Sequence, residues 1–141
     1  MAMRGWQLWV AVAAMTASTP ALAKQPGLFV RMGESVIFHI DQGQPVDPRP
    51  ASESDAPGAG EIKLTLEFKS GSTMMVVTNN SQDFLNYRAF ITPDPDKNGQ
   101  STSVCTLMSG GRSAFESWGG RLPGIRVSDF AKAPDGEMRC Q

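Results

Sequence analysis

One histidine and two cysteines occur among the 141 residues, and each scarcity removes a class of chemistry. A lone histidine acts as a general base only beside a nucleophile and an orienting group. Neither a G-x-S-x-G elbow nor a catalytic cysteine accompanies His39, which therefore reads as a satisfied or surface histidine. Cys105 and Cys140 do not form a C-x-x-C pair, so that redox motif is absent. The Walker pattern is missing too, and Ser109, Gly110, Gly111 and Arg112 read as a turn rather than a phosphate loop. A formal net charge of -1, with no basic cluster interleaved with aromatics, gives nucleic acid no electrostatic footing. Beyond residue 24 no apolar run is long enough to span a bilayer.

What is present begins with a targeting pattern over residues 1–23. Arg4 supplies a short positive region, the run WQLWVAVAAM over 6–15 is apolar, and Ala21, Leu22 and Ala23 give the small-x-small pattern of a cleavage site. The run is shorter than the ~20 residues of a spanning helix. The expectation is a cleaved signal peptide at 1–23, a single domain over 24–141, and a periplasmic or secreted product without a membrane span. No cysteine sits near the cleavage point to carry a lipid anchor. In an oxidising compartment an isolated cysteine pair reads as a structural disulfide.

The clearest fold signal lies over 61–91. Ile62, Leu64, Leu66 and Phe68 alternate with Lys63, Thr65, Glu67 and Lys69, which places four apolar side chains on one face of a strand. Ser70, Gly71 and Ser72 make a tight turn, 74–78 returns, and Asn79, Asn80 and Ser81 turn the chain again. Leu85, Tyr87, Ala89 and Ile91 then share one face of a third strand. Upstream, Val36, Phe38 and Ile40 alternate with Ile37 and His39 after a bend at Gly33. Residues 41–60 lose all apolar periodicity and carry prolines at 45, 48, 50 and 57, so they read as a mobile Pro-rich loop. Downstream, strands are expected over 102–108 and 125–130, and a short strand or 3₁₀ segment over 114–118, where Phe115 and Trp118 are available for the core. The sum is an all-β, antiparallel, immunoglobulin-like sandwich of about seven or eight short strands.

Four groups of residues invite a chemical reading. Asp94, Asp96, Asn98 and Gly99 match the opening of a calcium loop, but its twelfth position falls on Cys105 instead of a glutamate, and the flanks read as strands. A polar inter-strand loop is the simpler reading, with a weak calcium site as its alternative. Copper held by His39 with Met74, Met75 or Met108 would suit thioether chemistry, yet no Met-x-x-Met or His-x-x-Met spacing occurs and Met74 and Met75 should face opposite ways. Asn79-Asn80-Ser81 satisfies the glycosylation rule, which matters only in a eukaryotic secretory route. Glu61 and Glu67 read as solubilising charges on a strand's solvent face.

The run TMMVVTNNSQDFLNYRAFI, followed by TSVCTLMSGG, FESWGGRLPGIRVSDF and Cys140, resembles a group of small exported proteins of alphaproteobacteria that have no assigned activity. The V-T-N-N-S hairpin is similar, at the level of fold, to bacterial immunoglobulin-like domains. The first resemblance implies a periplasmic home, a Cys105–Cys140 bridge and no cofactor. Together these features lead us to expect a non-catalytic exported protein that binds an unidentified protein or envelope component. Edge strands and aromatics such as Phe84, Phe115 and Trp118 would be its contact surface. A metal- or small-ligand-binding protein is the alternative.

Overall fold

A computed structural model of the chain describes residues 25–141; the expected signal segment lies outside them. The described residues form nine strands and no helix: β1 (Leu28–Arg31), β2 (Ser35–Asp41), β3 (Gln44–Pro50), β4 (Ile62–Lys69), β5 (Ser72–Asn79), β6 (Phe84–Ile91), β7 (Gln100–Thr102), β8 (Arg112–Gly119) and β9 (Gly124–Ala133). They assemble into a four-stranded sheet in the order β1-β9-β6-β7 and a five-stranded sheet in the order β3-β2-β4-β5-β8. Every neighbouring pair of strands is antiparallel.

The alternation of the β4–β5 hairpin explains why the sheets stack. Ile62, Leu64, Leu66, Met75 and Val77 are fully buried on one face, while Lys63, Thr65 and Glu67 stand on the other. The opposing sheet contributes Val30, Leu85, Tyr87, Ala89, Ile125, Val127 and Phe130 to the same core. Aromatic rings join the layers: Phe38 of β2 meets Phe130 of β9 edge-on at 5.8 Å between centroids, and Tyr87 of β6 stacks on Phe130 at 5.2 Å. Such pairs contribute beyond the area they bury.

Cys105 and Cys140 are disulfide-bonded. Around the bridge Val104 and Gln141 exchange backbone hydrogen bonds of 2.8 and 2.9 Å, and Thr106 N donates to Arg139 O at 2.8 Å. The C-terminal residues are thus paired to the segment that follows β7.

Two expectations need correction. Within the supposed Pro-rich loop at 41–60, Gln44–Pro50 is a strand, β3, joined to β2 by a two-residue turn in which Gln42 and Gly43 both have positive φ, 49° and 79°. Both values suit the turn that matches strand twist. Prolines are tolerated because β3 is an edge strand, where only alternate residues face a neighbour. The strand expected over 102–108 is shorter and earlier: β7 ends at Thr102, and only single bridges at Cys105 and Leu107 continue the pairing.

Candidate binding face and edge

The turn between β4 and β5 sets the phase of the five-stranded sheet. Ser70 and Gly71 have φ of 53° and 79°, a two-residue hairpin turn that makes Lys69 and Ser72 a hydrogen-bonded pair. Counting along β5, residues 73, 75, 77 and 79 then direct their backbone groups at β8, and the 3.0 Å bond from Gly120 N to Gly71 O follows the same phase. On β8, therefore, Arg112, Ala114, Glu116 and Trp118 bond to β5, whereas Ser113, Phe115 and Ser117 direct N–H and C=O outward. No strand among the described residues receives those outward groups.

Comparing the four sheet edges isolates β8. Edge strands expose unpaired backbone groups and are ordinarily shortened, broken with proline or covered. β1 has four residues and β7 three, and β3 carries Pro45, Pro48 and Pro50. β8 runs for eight residues without proline and presents Phe115, which is 67% exposed.

The aromatics expected as a contact surface therefore separate. Phe115 and Trp118 are three residues apart and fall on opposite faces of β8. Trp118 packs partly buried against the core, and its Nε1 donates to Thr102 Oγ1 at 2.8 Å, tying β8 to β7 of the other sheet. Glu116, on the same side, accepts a hydrogen bond from Cys105 N at 2.8 Å through Oε1. Phe84 opens β6, paired with Ala133 and half-buried. Phe115 faces solvent and not the core, contrary to its expected availability for packing.

Phe115 belongs to a row that crosses the outer face, Ser35–Thr65–Val76–Phe115. The hydroxyls of Ser35 and Thr65 pair within this row and those of Thr78 and Ser113 pair beside it, each at 2.7 Å. A groove of about 500 Å³ runs over Ser35, Thr65, Val76 and Thr78, with Ala51 and Glu53 on its wall. That size falls in the range of small-molecule sites.

The wall stands where it does because of two side chains. Lys63 Nζ donates to the carbonyls of Ser52, Glu53 and Asp55 at 2.8, 3.1 and 2.6 Å. Glu61 is only 7% exposed, which corrects its reading as a solubilising charge. Its carboxylate accepts both arms of the Arg49 guanidinium, accepts Gly58 N at 2.7 Å, and lies 3.2 Å from His39 Nε2. The hydrogen bonds from Arg49 and Gly58 hold Glu61 down at about 2, well below the ordinary 4.5. Asp55 is likewise lowered, by its hydrogen bonds from Ser52. The residues that follow β3 are thus fastened at several points to β4 and to Asn80, whose Nδ2 donates to Pro57 O at 2.9 Å.

The metal candidates are engaged elsewhere. Asp94 Oδ1 accepts Asp96 N at 2.8 Å and its Oδ2 lies 3.7 Å from Lys97 Nζ, while Asn98 Oδ1 accepts Gln25 N at 2.9 Å. This is the bonding of a turn. Arg126, buried beneath it, donates to Pro95 O at 2.8 Å. His39 and Met74 sit near opposite ends of the sheet, Met75 is wholly buried, and Met108 Sδ accepts Arg112 Nη1 at 3.6 Å. His39 and Met74 are thus held apart by the length of the sheet. Among the described residues no group of three or more His, Cys, Asp or Glu side chains is arranged to hold a metal ion. Asn79, the first residue of the glycosylation triplet, is fully buried and donates to Asp83 O at 2.9 Å.

Fold and site together define an antiparallel β-sandwich with one open edge beside a hydroxyl-lined outer face. Comparison with protein-family models, curated proteins and solved structures yields no match.

Proposed function

We propose that this protein is a non-catalytic binding module of the cell envelope, exported by its N-terminal segment, which takes an extended segment of a protein partner onto β8. The observation that carries this reading is the contrast between β8 and the other three edges: it alone combines length, freedom from proline and an exposed aromatic. Strand addition would satisfy the outward N–H and C=O groups of Ser113, Phe115 and Ser117, and Phe115 would supply the apolar anchor. The disulfide suits an oxidising compartment.

Photo-crosslinking tests the reading. A photoreactive residue at Ser117, in protein exported to its native envelope, should capture a partner, and Phe115→Asp should abolish capture. Equal capture from a probe at Arg49 on the proline-broken edge would sink it.

A small polar ligand in the outer groove is a second reading, favoured by the paired hydroxyls of Ser35 and Thr65 beside Val76. Saccharide screening by ligand-observed NMR, with Thr65→Val as control, decides it: no transfer to any sugar removes this reading.

A further inference from the structure

We infer that the strand seated on β8 is the β8 of a second copy of this chain, an inference that rests on the open-edge reading above. An added strand must place hydrogen-bonding residues opposite Ser113 and Phe115, the outward-directed residues in the first half of β8, and an antiparallel β8 does so when odd-numbered residues face odd-numbered residues. Several registers meet that condition. Charge selects among them.

With a twofold axis at Ala114, Ser113 lies opposite Phe115 of the second copy, and Arg112 lies opposite Glu116 of the second copy, and the reverse. β8 reads Arg112-Ser113-Ala114-Phe115-Glu116, so its opposite charges are equidistant from the small residue at the axis. Both ion pairs fall at non-hydrogen-bonded positions, where side chains of facing strands come closest. Shifting the axis to Phe115 sets Arg112 against Trp118, and shifting it to Ser113 sets Arg112 against Ala114, and each shift loses both pairs. In the selected register the two Phe115 rings become diagonal neighbours on the outer face, within the reach of aromatic side chains.

The groups needed are available. Arg112 is exposed, with the Met108 sulfur as its hydrogen-bond acceptor. Glu116 accepts Cys105 N through Oε1, and its second carboxylate oxygen is the acceptor assigned to Arg112 of the second copy. Two five-stranded sheets would join into one continuous sheet across the axis.

Sedimentation equilibrium of the exported protein, from low micromolar to high micromolar concentration, tests the inference. A reversible dimer is expected. Arg112→Glu and Glu116→Arg should each weaken it by more than about tenfold, since like charges then face each other. The double reversal, Arg112→Glu with Glu116→Arg, should recover the dimer because the pairs re-form with exchanged signs. Phe115→Pro, which removes an outward N–H facing Ser113 of the second copy and no backbone bond to β5, should weaken the dimer without lowering the melting temperature, so loss of fold is separated from loss of contact. A protein that stays monomeric throughout, yet still yields a crosslinked partner at Ser117, overturns self-pairing and leaves the open-edge reading standing. A dimer indifferent to the charge reversals and to Phe115→Pro forms through another surface and overturns self-pairing through β8.

Discussion

The Arg49 guanidinium meets the Glu61 carboxylate with both arms, Nη2 lying 2.9 Å from Oε1. The pair joins an edge strand to the start of a central strand, and Gly58 N completes the carboxylate's partners. Because Glu61 is held down at about 2 against an ordinary 4.5, its charged form is preferred in the folded protein. Its stabilising contribution is fully present above about pH 4.5 and fades as pH falls toward about 2. Denaturant midpoints measured across that window should fall with acid in the native chain, and Glu61→Gln should flatten the slope.

Phe130 touches aromatic rings from both layers, whereas Phe115 touches solvent. Phe130→Ala should therefore cost about 3–5 kcal/mol, as large-to-small changes in packed cores do. Phe115→Ala should stay within about 0.5 kcal/mol. Urea unfolding monitored by tryptophan fluorescence compares the two; equal losses would contradict the placement of either ring.

The Tyr87 hydroxyl is buried and has no hydrogen-bond partner among the described residues, and burial raises its pKa above the usual range. An unsatisfied buried hydroxyl is destabilising, so Tyr87→Phe should leave stability unchanged or raise it by up to about 1 kcal/mol while keeping the stack on Phe130. Thermal melts of the two forms supply the check.

Reduction of the Cys105–Cys140 bridge, which closes a span of 35 residues, should remove about 3.5–4 kcal/mol by the loop-closure relation. Cys105→Ser with Cys140→Ser should match the reduced protein in melting temperature. A reduced form as stable as the oxidised one would show that the Val104–Gln141 hydrogen bonds hold the terminus unaided.

The hairpin over β4 and β5 was legible because both of its determinants are local: a period of two in side-chain polarity, and a turn whose residues accept positive φ. β3 was hidden by its prolines, which signal loop when read one residue at a time and become acceptable only once the strand is known to lie at an edge. A local cue was nonetheless present in Gln42-Gly43, the turn that folds β3 back on β2. The role of Glu61 could not be read from spacing, since Arg49 and His39 reach it from separate strands. Phe115 and Trp118 illustrate a finer limit. Their separation of three residues fixes opposite faces, but which face looks inward depends on β5 and on Thr102, both distant in sequence.

Lys63 holds three consecutive-region carbonyls, those of Ser52, Glu53 and Asp55, with a single ammonium group. Proteases read their substrates as extended strands, through the same backbone groups that the lysine occupies here. The stretch whose composition most resembles a cleavable linker is thereby withdrawn from that kind of recognition. Neutralising one side chain on a neighbouring strand, by substitution or by acylation, would return it to susceptibility without altering a residue of the stretch itself.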